Sequence, residues 1–265
     1  MLKTDPIGVF DSGIGGLSVL SKIQAQLPSE NLVYIADRSY VPYGNKSELE
    51  IKQRSELISR HFIEQHQVKA IVIACNTATA AAVVHLRELL NIPIIGMEPG
   101  LKPAVEQSRT GVVGILATEN TLKSEKYNHL VTRFGEQATV ISQQCSGLVE
   151  RIEQGDFSGP DTRLLVQQYV SPLLDKGVDS IVLGCTHYPF IKPLIEELAG
   201  TGIQVIETGD AVARHLKNRL EQLELINTSA EPGHLNFYTT DKKENNQNFE
   251  GFWHVAVDFK YLSLV

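Results

Sequence analysis

Ala70-Ile71-Val72-Ile73-Ala74-Cys75-Asn76-Thr77 and Ser180-Ile181-Val182-Leu183-Gly184-Cys185-Thr186-His187 are two versions of one pattern, a short apolar run that ends on a cysteine and opens onto polar residues. Apolar runs of this length read as strands buried on both faces, the mark of a parallel sheet. Each thiol is then expected at the C-terminal end of a strand, the edge where open α/β sheets place their chemistry. A thiolate is both a nucleophile and a base, so two thiols presented from equivalent halves of a chain could address one small molecule from opposite sides.

Outward from these two stretches, short apolar runs alternate with longer amphipathic ones almost from end to end, the pattern of βαβ units. Strands are expected near Ile7–Asp11, Leu32–Ala36, Ala70–Cys75 and Pro93–Met97, and a second set near Val112–Ala117, Ala138–Ser142, Ser180–Cys185 and Gln204–Ile206. Helices are expected over Gly16–Leu27, Lys46–Gln67, Ala78–Leu90, Thr121–Phe134, Asp161–Asp175 and Phe190–Leu198. The fold class is α/β with a largely parallel sheet. Asp11 precedes Cys75 by much the same interval as Thr118 precedes Cys185, which fits duplicated units as well as it fits any two βαβαβ segments; the matched thiols favour duplication. Glu98-Pro99-Gly100 is a natural crossing point between halves. Beyond Glu224 the chain turns polar, then gives an alternating run over Leu235–Thr240, a charged, Asn-rich connection from Asp241 to Gly251, and a further expected strand over Phe252–Phe259.

Composition sets the limits. The 265-residue chain is 42% hydrophobic and 21% charged, as soluble globular proteins are. A net charge of −7 and the lack of a Lys/Arg run argue against nucleic acid and anionic membranes as partners. Neither a secretory leader nor an uninterrupted apolar stretch of membrane-spanning length is present, so the expected compartment is the cytoplasm and no membrane partner is expected. The 3 cysteines leave one over in any disulfide scheme and show no zinc-ligand spacing, so reduced thiols and no metal are expected.

Asp11-Ser12-Gly13-Ile14-Gly15-Gly16 joins an expected strand to an expected helix, where backbone N–H groups and the helix dipole suit an anion. A dinucleotide reading would use Asp37 as the ribose acid, but its third glycine would fall at Ser18, and Asp11 would face the pyrophosphate. Asp11 alone reads as a helix cap; if the first and third strands are neighbours it emerges beside Cys75, where a carboxylate can orient the thiol or exchange a proton with it. Asn76 and Thr77 offer donors at a helix start, suited to an amino acid's α-carboxylate. His187, two residues beyond Cys185, can be that thiol's proton partner or bind a carboxylate as imidazolium. Tyr40-Val41-Pro42-Tyr43-Gly44, Glu150, Thr118 and Thr121 carry no message alone.

In order along the chain, DSGIGGLSV, the Asp37 region ending in PYG, ACNTATA, GCTHYP and TGDAVA resemble the glutamate racemases of the aspartate/glutamate racemase superfamily, from residue 7 to about residue 215. The resemblance implies two pseudo-symmetric α/β domains with the active site between them, the first formed by residues 1–97 with about 209–265 and the second by 98–208. It implies interconversion of L- and D-glutamate without a cofactor, supplying D-glutamate for peptidoglycan, and it leaves a homodimer open. Cys75 would act on the α-proton of one enantiomer and Cys185 on that of the other, with Asp11 assisting Cys75 and with His187 and Glu150 assisting Cys185. Asp11, Ser12, Tyr43, Gly44, Asn76, Thr77, Thr118, Thr186 and His187 would line the substrate pocket. The chemistry is coherent: racemisation needs a base on one face of the α-carbon and an acid on the other, and a free thiol with a pKa of about 8.5 must be deprotonated on one side and protonated on the other.

Three other readings stand beside this one. The same scaffold could racemise aspartate or another acidic amino acid. A binding module could hold a nucleotide or acidic metabolite without turnover. A Cys–His acyl-transfer enzyme could use Cys185 alone, which leaves Cys75 without a role.

Overall fold

The computed structural model describes residues 1–242, 252–253 and 257–264. In chain order the strands are β1 (Ile7–Asp11), β2 (Leu32–Ala36), β3 (Ala70–Ile73), β4 (Ile94–Ile95), β5 (Val112–Ala117), β6 (Thr139–Gln144), β7 (Ser180–Leu183), β8 (Gln204–Ile206), β9 (Leu235–Thr239) and β10 (Phe259–Tyr261). The α-helices are α1 (Leu17–Gln26), α2 (Glu48–His66), α3 (Asn76–Leu89), α4 (Leu101–Gln107), α5 (Glu119–Lys123), α6 (Glu125–Phe134), α7 (Leu148–Glu153), α8 (Pro160–Leu174), α9 (Lys192–Ala199) and α10 (Gly209–Gln222). The chain divides into two compact units, Met1–Met97 with Gly209–Val265, and Glu98–Thr208.

The first unit holds a 6-stranded sheet in the order β10-β9-β2-β1-β3-β4, every pairing parallel. β1 to β3 are apolar on both faces because helices cover both. One layer of core joins Phe10, Val33, Ile35, Ile71 and Ile73 of the sheet to Ile58 and Phe62 of α2 and to Ala82 and Leu86 of α3. Gly8 makes the close packing of α2 feasible, since a Cβ there would lie 2.8 Å from the Phe62 ring.

The second unit holds a 4-stranded parallel sheet in the order β6-β5-β7-β8. Its core joins Val113, Ile115 and Val182 to Leu101, Ala104, Tyr127 and Phe134 of the helices. The order β2-β1-β3-β4 in the first sheet has the same topology as β6-β5-β7-β8 in the second. The registers match as well: β1 pairs Phe10 with Ile73, and the Ala74 N–H donates to the Phe10 carbonyl at 2.8 Å. Correspondingly, β5 pairs Leu116 with Leu183, and the Gly184 N–H donates to the Leu116 carbonyl at 2.8 Å. The duplication suggested by the matched thiols is therefore a property of the backbone.

Several local expectations are corrected. Both thiol strands stop short of their cysteines, at Ile73 and Leu183, because each chain turns into the next element before reaching the sulfur. The helix expected from Ala78 begins at Asn76. The helix expected over Thr121–Phe134 is split at Ser124, whose hydroxyl accepts the Tyr127 N–H at 3.1 Å and so starts a second helix. α4, α7 and α10 were not expected. Of the strand expected over Phe252–Phe259, residues 254–256 lie outside the described residues, and the ladder begins at Phe259. Among the described residues, no helix is long and apolar enough to cross a membrane.

Candidate active site

In the first unit β1 and β3 are direct neighbours, so Asp11 and Cys75 leave the same edge of the sheet. Cys75 is the N-cap of α3, and its sulfur accepts the Ala78 N–H at 3.4 Å. A sulfur in the first turn of a helix sits where the macrodipole supports negative charge. Ser12 Oγ lies 3.9 Å from Cys75 Sγ and donates to Asp11 Oδ1 at 2.9 Å. The carboxylate thus reaches the thiol through a hydroxyl. Asp11 Oδ1 also accepts the Gly13 N–H at 2.9 Å, so it holds the turn itself instead of capping α1, whose N-cap is Gly16.

Asn76 and Thr77 are buried beside Cys75. Both polar atoms of the Asn76 side chain are buried without a hydrogen-bond partner among the described residues. Leaving a buried amide unsatisfied costs on the order of 1–3 kcal/mol, which a bound ligand can relieve.

Asp37 does not carry the dinucleotide reading. Its Oδ2 accepts Tyr43 Oη at 2.5 Å and Arg54 Nε at 3.0 Å; its Oδ1 accepts Arg54 Nη2 at 2.7 Å and Thr240 Oγ1 at 2.9 Å. A carboxylate offers about four acceptor positions, and these bonds occupy them, so nothing is left for a ribose. Burial first, and then the Asp37 charge, push the Tyr43 phenol well above its usual pKa, so it stays a donor to that carboxylate.

In the second unit Cys185 and Thr118 leave the C-terminal edge of the adjacent strands β7 and β5. Thr118 Oγ1 and Thr121 Oγ1 are 3.0 Å apart. His187 is buried, with Nδ1 3.7 Å from Cys185 Sγ and Nε2 2.6 Å from Glu153 Oε1. Burial works against the imidazolium, but the hydrogen bonds and charges of Cys185 and Glu153 outweigh it and hold the His187 pKa well above its ordinary value. Sulfur, imidazole and carboxylate form a line in which the imidazole can pass or hold a proton. The third cysteine plays no comparable part, because burial pushes the Cys145 thiol far above its usual pKa and keeps it protonated.

Glu150 is a correction: it is exposed on α7, and Glu153, one turn on, is the acid against His187. The signal was in the sequence. Glu153 follows Val149 by four residues on a six-residue helix whose buried side chains are Leu148, Val149 and Ile152, so it shares the buried face, whereas Glu150 does not. The structure brings Asp11, Ser12 and Cys75 together in one unit and Cys185, His187 and Glu153 together in the other. Among the described residues, no cluster of three or more His, Cys, Asp or Glu side chains is arranged to hold a metal ion.

The two sites carry matched sequences at matched registers. Ser12 and Thr118 stand at corresponding positions, as do Cys75 and Cys185, Asn76 and Thr186, and Thr77 and His187. Comparison with known proteins agrees with the pattern. The chain is 53% identical to a glutamate racemase of Methylococcus capsulatus over 239 residues, 90% of this chain and 88% of that one. A glutamate racemase of Francisella tularensis solved with D-glutamate superimposes with a TM-score of 0.85 at 32% identity, over 99% of each chain. A glutamate racemase isoform of Bacillus anthracis gives a TM-score of 0.86 at 30% identity, over 99% of this chain and 98% of that one. The Asp/Glu/hydantoin racemase family model matches residues 7–216, most of both duplicated units, and the chain belongs to that family of isomerases.

Proposed function

We propose that the chain interconverts L- and D-glutamate by a two-thiol mechanism that needs no cofactor, and that it supplies D-glutamate for peptidoglycan. The observation that carries this reading is the pair of cysteines at equivalent register in two topologically equivalent sheets, each with a hydrogen-bonding side chain beside its sulfur. In one direction the Cys75 sulfur, as thiolate, takes the α-proton of one enantiomer while the Cys185 thiol gives its proton to the opposite face of the carbanion. In the other direction the roles exchange, and each cycle leaves one thiolate and one thiol.

The groups beside the two thiols differ in kind. The Asp11 carboxylate meets the Cys75 sulfur only through the Ser12 hydroxyl, whereas His187 offers a buried cation to the charge that develops on the Cys185 side. The helix start at Asn76 and Thr77, with the unpartnered Asn76 amide, is suited to the substrate's α-carboxylate. Substrate selection for glutamate over aspartate follows the relatives' names, and a reduced compartment such as the cytoplasm suits free thiols. The resemblance leaves a homodimer open, and sedimentation reads the assembly.

The test is optical. Circular dichroism of L-glutamate, D-glutamate and L-aspartate incubated with the protein in D2O should decay to zero for both glutamate enantiomers, with deuterium entering the α-position. Cys75→Ala and Cys185→Ala should each lower turnover by at least about a hundredfold. Near-normal turnover in both variants would remove the mechanism; decay of aspartate alone would move the substrate.

A further inference from the structure

Thr240 is the last link in the network around Asp37, and it bonds in three directions. Its hydroxyl donates to Asp37 Oδ1 at 2.9 Å and accepts the Ser39 N–H at 3.1 Å, while its carbonyl accepts the Ser39 hydroxyl at 2.6 Å. The Thr240 N–H donates in turn to the Ala36 carbonyl at 3.1 Å, continuing the β2–β9 ladder by one residue. On the other side of Asp37, the Arg54 guanidinium lies 4.0 Å from the Tyr40 ring centroid and makes two bonds to the carboxylate. The Asp37 backbone carbonyl accepts the Tyr40 N–H at 2.9 Å. Ser39, Tyr40 and Tyr43 are therefore all held by bonds that lead to Asp37 or Thr240.

The turn so held is the one that carries Tyr43 and Gly44. The Tyr43 ring is buried in the same core cluster as Cys75 and its phenol is committed to Asp37, so a ligand beside that thiol meets, at this turn, backbone groups whose placement depends on where the turn is pinned. We propose that Asp37 and Thr240 are positioning residues for the Tyr43–Gly44 turn, so that seating of the returning strand β9 against β2 sets the affinity of the site for its amino-acid substrate; this rests on the racemase reading above. Contacts made through such a turn are present in the ground state and the transition state alike, so losing them raises KM and leaves kcat nearly unchanged.

Steady-state racemisation of glutamate by the full chain tests this with Thr240→Val, which keeps the shape and removes the hydroxyl, and Thr240→Ser, which keeps the hydroxyl. Circular dichroism of each protein reports folding. Thr240→Val should raise KM about tenfold, the effect of one hydrogen bond to a charged group, with kcat within about twofold, and Thr240→Ser should return KM close to wild type. Tyr43→Phe should raise KM in the same sense. A folded Thr240→Val protein with wild-type KM, a loss confined to kcat, or failure of the serine variant to rescue would each overturn the proposal. A wild-type chain without turnover of glutamate needs no variant to detect; it would remove the earlier reading and this inference with it.

Discussion

Glu150 and Glu153 lie on the same short helix, and only the second reaches His187. Glu153→Gln should therefore lower turnover by about tenfold or more, while Glu150→Gln leaves it near wild type, as steady-state rates will show. The pair also predicts a pH dependence of stability. His187 has a folded pKa raised above its unfolded value, so its contribution is complete below about pH 6.5 and is lost as pH rises through the folded value. The Tm gap between wild type and Glu153→Gln should be widest at the acid end of that window and narrow as pH rises; a gap that grows with pH would contradict the assignment. Asn76 makes a different prediction: Asn76→Leu removes an unsatisfied buried amide, so the unliganded Tm should hold or rise while KM for glutamate climbs at least about tenfold. At this scale the sequence was informative wherever a residue stands in a distinctive string, as Cys75, Asp11 and His187 do. It was silent on Arg54 and Thr240 and offered Asp37 only as a ribose acid, because no local string announces a carboxylate met by donors from distant segments.

Among the elements, those with long, regular apolar spacing were legible, and the exceptions have physical causes. α4 is short and contains Pro103, and α7 has only 6 residues, so neither offers enough turns for a period to register. α10 is legible in principle, since Val212, Ala213, Leu216 and Leu220 mark a buried stripe at helical spacing. Extending the thiol strands through Cys75 and Cys185 failed because the apolar run continues past the point where the ladder ends. Two glycines, Gly184 just past β7 and Gly16 at the N-cap of α1, are necessary in ways only the packing reveals. A Cβ on Gly184 would lie 2.9 Å from the Leu116 carbonyl oxygen, and one on Gly16 would lie 2.7 Å from the Asp11 Cβ. Gly184→Ala should cost about 1–3 kcal/mol by forcing β7 from β5, measured by urea denaturation, and should depress turnover as well because Cys185 follows directly.

Across the molecule, the two chain segments of the first unit are tied by a buried cation. Lys69 Nζ pairs with Glu30, donates to the Lys3 carbonyl, and donates to the Leu225 carbonyl at 2.9 Å; Glu30 Oε1 accepts the Asn227 N–H at 2.8 Å. Both side chains are essentially inaccessible, so breaking the pair leaves an uncompensated buried charge. Lys69→Met or Glu30→Gln alone should destabilise by about 3–5 kcal/mol, and the double Lys69→Met/Glu30→Met by clearly less, in urea denaturation.

Because β9 and β10 complete a sheet that β1 and β2 began, synthesis on the ribosome delivers the parts of the first unit out of step. The second unit, continuous from Glu98 to Thr208, emerges whole and is free to fold while its partner still waits for its outer strands. Both sulfurs are thus made well before the threonine that steadies the Tyr43 turn, and a nascent chain acquires its reactive groups ahead of its grip on substrate.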